Sequence, residues 1–356
     1  SIKCLFSDID GTLVHYCDGD ASLPEVIPLP ASATGRMARI SLETLRLAAQ
    51  VRSKGTKLVL VSGTRYSTFA KRLPYLPRAD AYVIENGGRV FYPEEKEKDV
   101  GDEKDGAGQD EHEGDNGHDT TKVGAHGGVV AGGASAVGDP FLTAHAVSCL
   151  KEDLEWRKKM ESVAGPACQD SKPPADREGP LWDMYRKAVS EGLEVDTNTY
   201  YTMLRVKVGA PGEKGGEDLW DTPKGGGGGG GRGGVESKPG GPEAVKELLA
   251  NLPTGLRVVT NFGLVDICPD ASGKHNAAAY LANRHFRIPL ALCASMGDDD
   301  NDIALAKIVG KGAFITTFSS DSVEAASKEN PDQFHVAEEE GVKSSEEMLR
   351  LILKRI

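Results

Sequence analysis

Ile2-Lys3-Cys4-Leu5-Phe6-Ser7-Asp8-Ile9-Asp10-Gly11-Thr12-Leu13 is the stretch on which the fold turns. A short apolar run with the pattern of a buried strand ends in two carboxylates one residue apart. Gly11 then breaks the run. Like charges this close repel, and one of the pair is ordinarily protonated. A bound cation removes the conflict. The pair therefore predicts a metal-assisted site at the exit of the first strand.

Strand and helix patterns alternate outward from this point. Ser41 is a candidate N-cap for a helix that Gly55 stops. Lys57–Val61 reads as a second strand ending at Ser62-Gly63-Thr64-Arg65, and Ala81–Ile84 as a third ending at Glu85-Asn86-Gly87-Gly88. This order is the signature of a parallel sheet with crossovers. The alternation returns after Leu256. Strands are expected at Arg257–Thr260, Leu264–Cys268, Pro289–Ala294 and Gly312–Thr316, with helices at Lys274–His285, Asn301–Val309 and Ser344–Ile356. The expectation is an α/β protein. A parallel-sheet core is built from 1–93 and 256–356, and a second domain, 94–255, is inserted between them.

Within the inserted domain, amphipathic segments are expected around Leu150–Met160 and Leu181–Val189, with a strand over Tyr200–Val208. Residues 94–138 are acidic and then Gly/Ala-rich, and 209–242 include seven consecutive glycines, 225–231; both read as flexible loops. A net charge of −12 over 356 residues disfavours nucleic acid or an anionic membrane as partner. No apolar run approaches the ~18 residues of a membrane span. Six scattered cysteines without CxxC spacing read as small core residues in a reducing compartment. An intracellular location is expected, with cytoplasm and plastid not distinguished.

The chemistry gathers at predicted strand ends, the edge where open α/β sheets bind ligands. Asp8 and Asp10 follow the first strand, and Ser62 the second. Lys274 opens a later helix, and Gly297-Asp298-Asp299-Asp300-Asn301-Asp302 follows the strand near Leu292. Each has a commonplace alternative. DxDGT can be a turn, and the acidic run can cap a helix. Ser62 can be a turn former, and Lys274 a solvated side chain. Their joint occurrence in this order, each after a strand, points instead to phosphoryl chemistry. Asp8 is the natural nucleophile, giving an acyl phosphate. Asp10 shares its face and can act as acid and then base. Ser62 can donate to phosphoryl oxygens, and Lys274 can neutralise charge.

These motifs resemble those of the haloacid dehalogenase (HAD) superfamily. Asp8-Ile9-Asp10-Gly11-Thr12 looks like its first motif, Ser62 its second, Lys274 its third and Gly297-Asp298…Asn301-Asp302 its fourth. The resemblance covers roughly residues 1–93 and 256–320. It implies a Rossmann-like parallel sheet core with 94–255 as an inserted α+β cap domain, a phosphorylated Asp8, an acid/base Asp10, and Mg²⁺ held by Asp8, the Asp10 carbonyl and Asp298, with Asp302 in support. Asn86 resembles an element of the subgroup with a large cap, which includes Cof-type and sucrose-phosphate phosphatases and phosphomannomutases. The wider pattern is also similar to algal mannitol-1-phosphatases. Thr12, Gly63, Asn86 and Asn301 become expected substrate-binding residues, joined by Arg65, Arg205 and Lys207; Trp182 and Tyr201 are further cap candidates. The expected activity is Mg²⁺-dependent hydrolysis of a small sugar or polyol phosphate, mannitol 1-phosphate among them, with a small phosphorylated metabolite as partner. A sugar phosphomutase and a catalytically idle scaffold are the alternatives.

Overall fold

The computed structural model describes residues 1–16, 25–32, 35–94, 140–207, 242–261 and 264–356. Most of the acidic loop and all but the last residue of the glycine-rich loop lie outside the described residues.

Cys4–Ser7 is buried throughout and stands near the middle of an eight-stranded sheet. The strand order is Phe334–Val336, Ala313–Ile315, Cys293–Gly297, Cys4–Ser7, Lys57–Val61, Ala81–Ile84, Arg89–Pro93, Leu150–Glu152. The first six are parallel to one another, and the last two add antiparallel pairings. Side chains alternate between the faces. Cys4 and Phe6 join one apolar cluster with Val59 and Val61. Leu5 joins the opposite one with Leu58 and Leu60. Burial on both faces is what a parallel sheet demands. This is the α/β core expected from the sequence.

Register positions the site. Ser7 pairs with both Leu60 and Met296. Asp8, Ser62 and Asp298 therefore leave neighbouring strands at the same carboxyl edge. The first helix, Leu42–Ser53, begins at Ser41, whose Oγ accepts the Thr44 N–H at 2.9 Å. Asp300–Ile308 and Val342–Leu353 are helices close to the expected bounds. The stretch after Lys274 is an α-helix only to Tyr280 and widens into a π-turn over Leu281–Phe286.

Several elements differ from the expectation. Leu256–Asn261 and Leu264–Pro269, assigned from the sequence to the returning core, belong instead to a separate antiparallel sheet. Its order is Leu256–Asn261, Leu264–Pro269, Leu204–Val206, Val195–Asp196. Conversely, Leu150–Glu152, assigned from the sequence to an amphipathic segment of the inserted domain, extends the large sheet. A hydrophobic pattern marks a strand but does not name its partner, so alternation alone misassigned both. Among the described residues of the expected Tyr200–Val208 strand, only Leu204–Val206 is extended ladder, and Val208 lies outside the described residues. Val26–Leu29 forms a strand that the Pro-rich composition concealed; it lies at the edge of a third, three-stranded sheet with Ala38–Ser41 and His15–Tyr16, apart from the small four-stranded sheet, and proline is tolerated at such an edge.

The apolar cluster on one face of the large sheet continues into the small one. It includes Trp182 from helix Pro180–Ser190 and Leu204, Val206 and Ile267 from the small sheet's strands. The five described cysteines are free, and Cys4, Cys268 and Cys293 are buried. Among the described residues, no helix is long and apolar enough to cross a membrane.

Candidate active site at the carboxyl edge of the large sheet

Asp8 still belongs to the sheet by its backbone, its N–H donating to the Met296 carbonyl at 2.8 Å. The chain then turns at Gly11, with φ of 83°. A β-carbon there would also come within 2.1 Å of Asp298 Oδ2, so both conformation and space require glycine. This close approach lets Thr12 donate its hydroxyl to Asp298 Oδ1 at 2.7 Å. Ser319 donates to Oδ2 at 2.5 Å. Asp298 is thereby held from both sides with no solvent exposure.

Asp302 lies in the first turn of helix Asp300–Ile308. Its Oδ2 accepts the N–H groups of Asp298 at 3.2 Å and Asp299 at 3.4 Å. Its Oδ1 accepts from Lys274 Nζ at 2.8 Å, and the same ammonium lies 2.9 Å from Asp8 Oδ2. Lys274 is 2% exposed. Burial alone would lower its pKa, but Asp302 and Asp8 outweigh that and raise it.

Carboxylate oxygens of Asp8, Asp298 and Asp302 all lie within 4.8 Å of one another. Two such charges repel by roughly 3 kcal/mol at an effective dielectric of about 20. One lysine does not balance three carboxylates. Burial pushes the Asp8 carboxyl well above its usual range; Lys274 opposes this, while Asp302 and Asp298 add to it. Asp298 is pushed up to about 7, by burial first and by Asp302 next. Hard oxygen donors crowded with excess negative charge are the donor set of a divalent cation, and the residues present fit one.

The Asp10 carboxylate stands outside this trio. Its Oδ1 accepts from the Tyr16 hydroxyl and from Arg72 Nη1, both at 2.6 Å. Arg72 is 2% exposed and also donates Nε to the Pro30 carbonyl at 3.1 Å. Neither Arg72 nor Tyr16 was singled out in the sequence. Arg72 reads as an ordinary residue of helix Tyr66–Arg72, and Tyr16 lies beyond the motif. Nothing local signals that they meet Asp10.

Ser62 is buried, and its Oγ accepts the Thr64 N–H at 3.0 Å, leaving the hydroxyl hydrogen available to donate. Asn86 sits at φ of 51°, which asparagine tolerates, and is followed by Gly87 at 90°. A β-carbon on Gly87 would lie 2.3 Å from the Gly273 carbonyl, so this turn packs directly on the loop that delivers Lys274. Asn86 Nδ2 donates to Asp266 Oδ2 at 2.8 Å, and its Oδ1 faces Asn301 Nδ2 at 3.5 Å.

A cavity of about 300 Å³ opens in front of these groups. Asp8, Asp10 and the Ser62–Arg65 turn line one side; Tyr200, Arg205 and Leu264 line the other, and Asn301 also borders it. Arg205 is thus brought to the cavity. Lys207 is not: it is half-exposed and paired with Glu194. Trp182 is fully buried with its Nε1 on the Ala164 carbonyl at 2.8 Å, a core residue of the small-sheet half. Tyr201 packs edge-on against Tyr66, and its N–H is bound to Glu85 Oε2 at 2.9 Å. Asp266, a fully buried carboxylate in mid-strand, escaped the sequence reading although an aspartate inside Leu264-Val265-Asp266-Ile267-Cys268 is unusual enough to have drawn it.

Residues 239–343 match the family described as haloacid dehalogenase-like hydrolases. No curated protein matches the chain by sequence. Among solved structures, the sucrose-phosphatase from Synechocystis, in complex with sucrose and phosphate, shares 12% identity; the likeness covers 98% of this chain and 96% of that one, with a TM-score of 0.51. A haloacid dehalogenase-like hydrolase from Bacteroides thetaiotaomicron shares 12% identity over 100% of this chain and 99% of its own, with a TM-score of 0.47. A HAD subclass IIB sugar phosphatase shares 14% over 99% of each, with a TM-score of 0.48. Likenesses at this identity speak to fold. Residues 239–343 are thus similar in sequence to the haloacid dehalogenase-like hydrolases, and the fold of the described chain is similar to that of the sucrose-phosphatase.

Proposed function

We propose that the protein is a Mg²⁺-dependent phosphatase that hydrolyses a small sugar or polyol phosphate monoester through an aspartyl-phosphate on Asp8. One observation carries this reading. Asp8 lines a cavity at the carboxyl edge of the sheet together with Asp10 and Ser62, and behind it Asp298 and Asp302 complete a cluster of three buried carboxylates with one lysine between Asp8 and Asp302. The sugar class is taken from the sucrose-phosphatase likeness.

Asp8, Asp298 and Asp302 would hold the cation, with the Asp10 carbonyl as the resemblance implies. When bound, it screens the carboxylates from one another and from the phosphate and polarises the phosphoryl oxygens. Asp8 attacks phosphorus, forming the Asp8 O–P bond as the ester P–O bond breaks. Lys274 keeps Asp8 oriented and offsets charge on the transferring group. Ser62 donates its hydroxyl to a phosphoryl oxygen. Arg72 and Tyr16 fix Asp10 through Oδ1, leaving Oδ2 to protonate the departing alkoxide. Asp10 then takes a proton from the water that attacks the acyl phosphate, which restores Asp8. The half bearing the small sheet, with 256–269 included in it, serves as a lid that excludes bulk water.

A phosphate-release screen over sugar and polyol phosphates, mannitol 1-phosphate included, with Mg²⁺ and with EDTA, tests this. Release should require the cation, and Asp8→Asn should lose at least about 10³-fold. An Asp8→Asn protein that keeps its activity would mean a different nucleophile. Release only in the presence of a bisphosphate activator, with transfer back to sugar, would make the protein a mutase.

A further inference from the structure

We propose that the departing group is an uncharged polyol or sugar, and that Asp266 and Asp196 enforce this by masking the two arginines that face it. The inference rests on the phosphatase reading and sharpens its substrate class.

Arg205 and Arg65 are the guanidinium groups set in the cavity wall around Tyr200. Either could in principle receive a second anionic group, such as a carboxylate or another phosphate. Both are already engaged. Arg205 gives Nε and Nη2 to Asp266 at 2.6 and 2.8 Å, a bidentate fork. Asp266 is fully buried and also accepts from Asn86. Arg65 gives Nη1 to Asp196 Oδ1 at 3.0 Å and pairs again through Nη2. A second anion that recruited Arg205 would strip the buried Asp266 of its partner, and one that recruited Arg65 would strip the partly buried Asp196, each at a cost that is larger for Asp266. The pairs therefore persist, and each offers N–H donors without net charge.

Arg205 Nη1 makes no hydrogen bond to the described residues. Tyr200 is 1% exposed, lies with its ring 4.8 Å from the Arg65 guanidinium, and its hydroxyl is likewise unpartnered among them. An aromatic face, a neutralised N–H donor and a free phenol suit hydroxyl groups. Arg36, the remaining cation of the cavity, is exposed at the mouth, stacked 4.0 Å over Tyr16, where solvent screens it.

The experiment compares kcat/KM for three ester types with Mg²⁺: hexose or hexitol monophosphates, hexose bisphosphates, and phosphorylated sugar acids. The wild type should favour the first type by about tenfold or more. Asp266→Asn and Asp196→Asn each unmask a guanidinium and should shift the ratio toward the anionic esters by about tenfold. Asp196 is partly exposed, so its variant keeps the question open to test if Asp266→Asn does not fold. A wild type that prefers bisphosphates or sugar acids overturns the proposal, as does a ratio unmoved in a folded variant. Turnover of p-nitrophenyl phosphate with none of the three types also overturns it. If no ester at all releases phosphate, the phosphatase reading fails instead.

Discussion

The two walls of the cavity bury charge in opposite ways. On and behind the large-sheet side, like charges are gathered: Asp8, Asp298 and Asp302, with one lysine between Asp8 and Asp302. On the small-sheet side, each carboxylate has its own cation: Asp266 pairs with Arg205 of the same sheet, and Asp196 reaches across to Arg65 of the Ser62–Arg65 turn. The first wall is incomplete without a ligand, and its strain shows in the raised carboxyl pKa values of Asp8 and Asp298. The second is complete as it stands. The difference teaches which wall does chemistry and which one shapes the space. Unbalanced charge is tolerated where binding repairs it, and paired charge holds a geometry.

The sharpest way to break this contrast is Asp298→Asn. It should cut phosphate release by about 10³-fold, yet raise the melting temperature in EDTA by about 2 °C at pH 8, because a crowded carboxylate has gone. Wild-type melting should rise on adding Mg²⁺, and that of the variant should rise less. A variant that melts earlier than wild type in EDTA would show that Asp298 is not in conflict with its neighbours.

The opposite wall should respond the opposite way. Arg205→Leu leaves Asp266 buried and uncompensated, and urea denaturation should reveal a loss of about 4 kcal/mol. Adding Asp266→Leu should restore much of it. A single variant as stable as wild type would mean the pair does not hold the wall together.

His15 supplies a third case, a buried titratable group kept neutral beside the active-site loop. Its Nε2 lies 2.6 Å from Ser345 Oγ, and burial depresses its pKa to about 4. The unfolded chain binds this proton near pH 6.5 and the native state does not. Its contribution is therefore fully present above about pH 6.5 and lost as pH falls toward 4, on the order of 3 kcal/mol. The stability difference between wild type and His15→Asn should shift by about 2 kcal/mol between pH 7 and 4.5, and a difference that does not change with pH would remove His15 from the account.

Legibility followed distance along the chain. Asp8, Ser62 and Asp298 could be placed at one edge because each directly follows an apolar strand pattern, and parallel strands end together. Lys274 could be suspected because a cation opens a helix where an anion belongs. Lys207 misled, since a charged residue two positions after Arg205 looks equivalent until the strand's twist and end are known; it points to Glu194 outside the cavity. Arg72, Tyr16 and Ser319 could not be read at all. Their partners Asp10 and Asp298 lie on other elements, and their local sequences are unremarkable.

The sequence by itself determined the elements and the chemistry, because strand burial, turn glycines and carboxylate spacing are local properties of a few residues. Only the tertiary structure decided which sheet Leu256–Pro269 joins, what holds Asp10, and which carboxylates pair with Arg205 and Arg65. Those outcomes depend on which surfaces meet across the fold, and pairing between distant segments leaves no mark on either segment alone.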